Sequence, residues 1–156
     1  MNIFFHQTIL GKIGIAEESG IIKHLIFEND KMIPDAELKE TEVLREAFRQ
    51  LDAYLTGNLR VFTLPLDPDG TDYMKKIWKL LQKIPYGETA SYKDIAASSG
   101  NDKASRAVGL ANNRNPLPVF IPCHRVIGSN GNLVGYGGGL DIKKKLLDIE
   151  KNYSGK

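Results

Sequence analysis

The chain has a single cysteine, three histidines, one tryptophan and few aromatics (8%) among its 156 residues. One cysteine rules out an internal disulfide and a Cys-x-x-Cys zinc site. It also favours a reducing compartment, so a cytoplasmic location is expected. No apolar run approaches the roughly 18 residues that span a bilayer. The start, "MNIFFHQTIL", lacks a basic n-region and a small-residue cleavage pattern, so neither a signal peptide nor a membrane partner is expected. Charge of one sign is also scarce, at a net +2. It is unevenly placed, however: residues 1–85 carry 11 Lys+Arg against 13 Asp+Glu, and residues 86–156 carry 10 against 6. The second half is therefore the place for a polyanionic partner, with a merely solvated charged face as the alternative.

What is present reads as an ordinary soluble α+β chain, 42% hydrophobic and 26% charged. "NIFFH", "KIGIAEE" and "IIKHLIFE", separated by Gly11 and by Ser19-Gly20, predict a three-stranded antiparallel meander. His6 and His24 fall in these strands and read as packing residues. Leu44, Phe48, Leu51 and Leu55 predict a helix over 42–56, capped by Thr41 and stopped by Gly57. "TLPLDPDGTD" predicts a linker near 64–71, which divides the chain into domains 1–66 and 67–156. Met74, Ile77, Trp78 and Leu81 mark a second helix. Helices at 92–98 and about 103–112, turned at Gly100, have helix-turn-helix spacing. Ala104, Ser105, Ala107, Gly109 and Ala111 make the second of these narrow, with Arg106 as the long side chain in its middle. Such a helix suits close packing in a core or close approach to a nucleic-acid groove.

Six glycines lie between 128 and 139. Gly135 and Gly137 begin a G-x-G-x-x-G, but Leu140 stands where the last glycine belongs, and no Gly-Lys-Ser/Thr follows. Asn130-Gly131 is instead a hairpin-turn signal, so this segment is expected to be a wing. The last helix is "DIKKKLLDIE", with Asp141 as the expected cap and Ile142, Leu146, Ile149 and Tyr153 as the expected inner face. Glu150 lies near the helix C-terminus, where the dipole disfavours negative charge, which argues for a specific partner.

Cys123 sits in "NPLPVFIPCHRVIG", directly before His124 and Arg125. It can be an inert buried hydrophobe or a nucleophile helped toward the thiolate by its neighbours. On a regular strand Cys123 and His124 would point to opposite sides, so their cooperation requires irregular backbone, which the proline-rich run supplies. A cysteine hydrolase would need its base elsewhere in the sequence, and only His6 and His24 remain.

"IPCHRV", preceded by "NP" and followed by "GYGGGL" and "K...LL..E", resembles the O6-alkylguanine-DNA alkyltransferases, also called methylated-DNA–protein-cysteine methyltransferases. "PYGETASYKDIA" and "SRAVGLANNRNP" match the same family in the same order. The resemblance is strong over residues 65–150 and looser before them. It implies a ribonuclease H-like N-terminal domain and a C-terminal winged helix-turn-helix domain. It implies a monomer that acts on double-stranded DNA containing O6-alkylguanine, flips the base and moves the alkyl group irreversibly to Cys123, once per chain. In the family pattern His124 is the base acting through a water and Glu150 orients it. Tyr92 bears on the 3′ phosphate and assists protonation of the base. Arg106 fills the gap in the base stack, with further DNA contacts expected from Tyr92, Ala104, Ser105 and Arg125. Asn115, Val126, Tyr136, Gly137 and Lys143 are expected to line the base pocket. Gly137 replaces a serine found in many relatives. No cofactor is implied. Some relatives hold a structural zinc on N-terminal Cys and His residues, which this chain lacks, so no metal is expected. Three rivals remain: a binder of alkylated DNA without transfer, a helix-turn-helix regulator with a sensor cysteine, and a cysteine hydrolase.

Overall fold

Apolar residues that recur at spacing two in the first third of the chain, and at helical spacing after it, separate a sheet from the helices that follow. The computed structural model describes residues 1–154. It divides into two units, Met1–Asp69 and Gly70 onward, three residues later than the expected boundary.

In the first unit β1 (Asn2–Thr8), β2 (Gly11–Glu18) and β3 (Ile21–Ile26) form the expected antiparallel meander. Ser19 and Gly20 both have positive φ, 54° and 83°, as a two-residue hairpin turn between right-twisted strands demands. A two-residue strand β4 (Glu37–Leu38) adds to β1 in parallel, giving the order β3-β2-β1-β4. Helix α1 (Glu42–Leu55) is capped by the Thr41 side chain. Its Leu44, Phe48, Leu51 and Tyr54 are buried, as are Ile13 and Ile15 of the central strand β2 and Ile22 of β3. His6 stacks on Phe48 with ring centroids 4.0 Å apart. The expected linker is partly sheet: Ile22 N–H donates to Pro65 O and Asp67 N–H to Ile22 O, at 2.8 and 3.2 Å. Two prolines in the stretch hide this pairing from a sequence reading, because only Pro65 O and Asp67 N–H, neither blocked by a ring, are used.

In the second unit α2 (Asp72–Leu81) buries Ile77, Trp78 and Leu81. The Trp78 indole N–H donates to Ala111 O at 2.9 Å, which fixes α2 to α4 (Ser105–Asn113). Helix α3 (Tyr92–Ser98) starts at a reciprocal capping box between Ser91 and Asp94. Gly100, at φ 97°, turns the chain toward α4, which makes the helix-turn-helix. Short strands β5 (Ala90–Ser91) and β6 (Val126–Ile127) pair in parallel, so the start of α3 lies beside the end of the cysteine segment. Helix α5 (Leu140–Tyr153) closes the unit. Its cap position is Gly139 and not Asp141, which lies in the first turn. Its buried residues are Lys143, Leu146 and Glu150, whereas Tyr153 is 45% exposed. The inner face is thus rotated from the expected one, because two of its three anchors are charged and apolar periodicity cannot report them.

Candidate active site

The segment 115–125 is shaped by one amide and three prolines. Asn115 Oδ1 accepts from Leu117 N–H at 2.9 Å, and its Nδ2 donates to Ile121 O at 3.0 Å. Ile121 N–H returns to Leu117 O at 2.9 Å. Between them Val119, 1% exposed, has φ 76°, a conformation that a β-branched residue adopts only when its surroundings impose it. Pro122 then leads into a 3₁₀ turn, Cys123–Arg125. Three residues per turn send successive side chains in three directions instead of two opposed ones. The backbone at Cys123 and His124 is thus irregular and not a regular strand.

His124 and Arg125 converge on Glu150 of α5. His124 Nε2 lies 2.7 Å from Glu150 Oε2. Arg125 Nε donates to Oε1 at 2.8 Å and NH2 to Oε2 at 2.9 Å, a two-pronged grip on the carboxylate. Arg125 NH1 donates to Ile84 O at 2.7 Å, and Gly87 N–H donates to Glu150 Oε1 at 3.0 Å. All three side chains are buried. Burial alone would raise the Glu150 pKa, but His124 and Arg125 together hold it well below the usual carboxylate range. Glu150 is therefore an acceptor only, so Nε2 of His124 carries the proton and the basic nitrogen is Nδ1. Burial lowers the His124 pKa against the pull of Glu150, which keeps the imidazole neutral. Arg125 was expected at the DNA. Three of its N–H groups are held by Glu150 and Ile84 and it is 7% exposed, so in this structure it stands as a buried strut.

The expected pocket residues gather around Cys123, which is 3% exposed. Lys143, fully buried, spends its ammonium on Val126 O, Val134 O and Gly135 O at 2.6, 2.9 and 3.3 Å. Burial lowers its pKa to about 8 despite the nearby thiol. Tyr92 OH donates to the same Val134 O at 3.0 Å, and burial raises its pKa. Tyr92 and Lys143 thus pin the glycine-rich segment. A side chain at Gly137 would meet open space. Burial pushes the Cys123 thiol up to about 11, opposed by Asn115, Lys143, its own backbone and Tyr136. At neutral pH, ionising it costs on the order of 5 kcal/mol. The resting group is the thiol, and a base must take its proton at the moment of reaction.

On the helix-turn-helix, Arg106 is exposed and has no hydrogen-bond or ion-pair partner among the described residues. Ala104 and Ser105 are half-buried at the start of α4. Where α1, α2 and α3 have side-chain caps, α4 has none. Its first N–H groups are therefore open to an anion. Asn112 of α4 had no sequence signal: it is 2% exposed, and its Nδ2 lies 3.5 Å from Cys123 O.

A buried lone cysteine, followed in sequence by an imidazole paired to a carboxylate, thus lies in the same unit as a helix-turn-helix. Residues 72–152 match the family model of the 6-O-methylguanine DNA methyltransferase DNA binding domain, and residues 4–68 match that of its ribonuclease-like domain. The chain belongs to the 6-O-methylguanine DNA methyltransferase family. A methylated-DNA–protein-cysteine methyltransferase of Methanosarcina barkeri is 53% identical over 149 residues, covering 94% of each chain. The constitutive one of Bacillus subtilis is 47% identical, covering 93% of this chain and 92% of its own. A crystal structure of Mycobacterium tuberculosis OGT in complex with DNA superposes with TM-score 0.93 at 38% identity, over 98% of this chain and 94% of that one. This methyltransferase is a DNA-repair enzyme whose acceptor is a protein cysteine, and the chain has only Cys123 to offer. Among its described residues no helix is long and apolar enough to cross a membrane, and no cluster of His, Cys, Asp and Glu could hold a metal.

Proposed function

We propose that this protein binds double-stranded DNA as a monomer, extrudes an O6-alkylguanine and takes the alkyl group onto Cys123 Sγ. The observation that carries the reading is the His124–Glu150 pair, a neutral imidazole ordered by a buried carboxylate on the residue that follows the sole thiol. His124, acting through a water, removes the thiol proton. Sulfur then attacks the saturated carbon attached to O6. The S–C bond forms, the C–O6 bond breaks, and its electron pair leaves on the guanine. The guanine regains a proton with assistance from the Tyr92 hydroxyl, so thiol plus alkylguanine become thioether plus guanine. Extrusion is required because the reacting atom is inaccessible in the stack. Arg106, exposed and unpaired, would fill the vacated space. Ala104 and Ser105, at an uncapped helix start, would receive backbone phosphate. Asn115, Val126, Tyr136, Gly137 and Lys143 would form the base pocket. All these groups come from one unit of one chain, which supports a monomer, and an acceptor thiol that must stay reduced suits the cytoplasm.

A thioether is not cleaved by water, and no group in the site is placed to remove it, so each chain reacts once. The test titrates the protein against excess duplex carrying O6-methylguanine and counts repaired guanines. The expected plateau is one per chain. A plateau that climbs with time would overturn single turnover, and tight binding with no repaired base would favour a binder without transfer.

A further inference from the structure

We infer that the lysine face of α2 holds the phosphate backbone of the duplex where it runs past the helix-turn-helix, so that the DNA contact extends beyond α4. The inference rests on the function proposed above. Divided at the structural boundary, the chain is sharply asymmetric in charge. Residues 1–69 carry 7 Lys+Arg against 12 Asp+Glu, and residues 70–156 carry 14 against 7. Among those basic residues are Lys75, Lys76, Lys79 and Lys83, all exposed. With Asp72 and Leu80 they line one shallow depression. Ile77, Trp78 and Leu81 fill the opposite, buried side of α2. None of the four lysines forms an ion pair among the described residues. Exposed charges on other helices do pair: Arg49 with Glu46 on α1, and Lys144 with Asp148 on α5.

A merely solvated face does not account for this arrangement. Lys75 and Lys79, and Lys79 and Lys83, are like charges four residues apart, which destabilise a helix. The helix dipole favours a cation in the last turn and so explains Lys79. It offers nothing to Lys75 and Lys76, which stand in the first half of α2. Asp72 lies in the first turn, where the dipole favours a carboxylate. Unpaired cations gathered on one face fit a polyanion. Their spacing fits DNA: at 1.5 Å per residue, Lys75 to Lys83 spans about 12 Å, roughly three phosphates of one strand. Their place fits as well. Lys76 Nζ donates to Ser99 O at 2.7 Å, and Ser99 caps the C-terminus of α3 at the turn of the motif. The lysine face therefore adjoins the helix-turn-helix, and a duplex held at the start of α4 continues onto it. An anionic membrane would call for apolar anchors among the lysines, whereas Ile77, Trp78 and Leu81 are spent on the core.

The test measures affinity for an O6-methylguanine duplex as a function of salt concentration. It compares the unaltered chain with Lys75→Gln/Lys79→Gln/Lys83→Gln and with Lys12→Gln/Lys31→Gln/Lys39→Gln. The second variant removes the same charge from exposed positions of the first unit. Lys76 stays in place because it ties α2 to the turn. The α2 variant should lower the slope of log affinity against log salt by about 2–3, close to one for each lost phosphate contact. The first-unit variant should leave the slope within about 0.5 of the unaltered chain. Lys75→Gln alone should lower it by about one, which keeps the test open if the triple variant does not fold. An unchanged slope in the α2 variants overturns the inference, and so does an equal fall in both triple variants, which would reflect net charge and not location. Binding of the unaltered chain to phosphatidylserine vesicles that the α2 variant alone loses, with its DNA slope unchanged, would give the face to a membrane and overturn it too. No affinity of the unaltered chain for DNA would instead sink the proposed function, and the inference with it. Affinity without transfer would sink the transfer alone and leave the salt slopes to decide the inference.

Discussion

Burial and the Glu150 pairing together set the protonation of the ionisable residues of the site. Cys123 is kept neutral by burial, His124 by burial against a carboxylate, and Glu150 is kept charged by Arg125 and His124. Replacing Cys123 by Ser should abolish transfer and leave DNA affinity within about twofold, measured by mobility shift on O6-methylguanine duplex, since a hydroxyl is close in size to the thiol but a far weaker nucleophile. Arg125→Met removes one partner of a buried ion pair and should cost about 3–5 kcal/mol in urea unfolding of the chain. An Arg125 that merely contacted DNA would cost little stability and much affinity, so the two measurements separate strut from phosphate ligand. Sequence could rank Cys123 and His124 as chemistry because they adjoin. It could not reveal that Arg125 turns inward, because residue type carries no burial, nor that Asn112 ends beside Cys123.

At the scale of elements, the helix-turn-helix and the acceptor turn are joined through α4 and β5–β6. Arg106 stands on the exposed side of α4, and Asn112 on its buried side. Arg106→Ala should slow repair in duplex DNA by tenfold or more while changing reaction with free O6-benzylguanine by less than about twofold, since only the duplex leaves a gap to fill. Equal losses on both would contradict that role. Helices α1, α2 and α3 were legible because each carries a clean apolar stripe, a capping side chain, or both. The inner face of α5 was not, because Lys143 and Glu150 are buried for their partners and break the apolar pattern. Strand β4 was missed because two residues have no period.

For the whole molecule, the burial of Glu150 and His124 makes stability depend on pH in one direction. Glu150 has a folded pKa below its unfolded value, so its contribution is complete above the usual ~4.3 and is lost as pH falls below it. His124 also has a lowered folded pKa. The unfolded chain therefore binds more protons below about 6.5, and stability falls there too. Denaturant midpoints at constant ionic strength should thus decline from about pH 6.5 downward and steepen below about pH 4.3. Glu150→Gln should flatten the lower part of that decline.

Everything in this chemistry turns on one sulfur atom taking a carbon it does not return. The most direct measurement is intact-protein mass, followed by peptide mapping, after incubation with excess O6-methylguanine duplex. The expected result is a gain of one methylene per chain, located on Cys123, with no loss of the label on prolonged incubation. A chain that repairs the DNA yet keeps its original mass, or a methyl group found on any other residue, would contradict it.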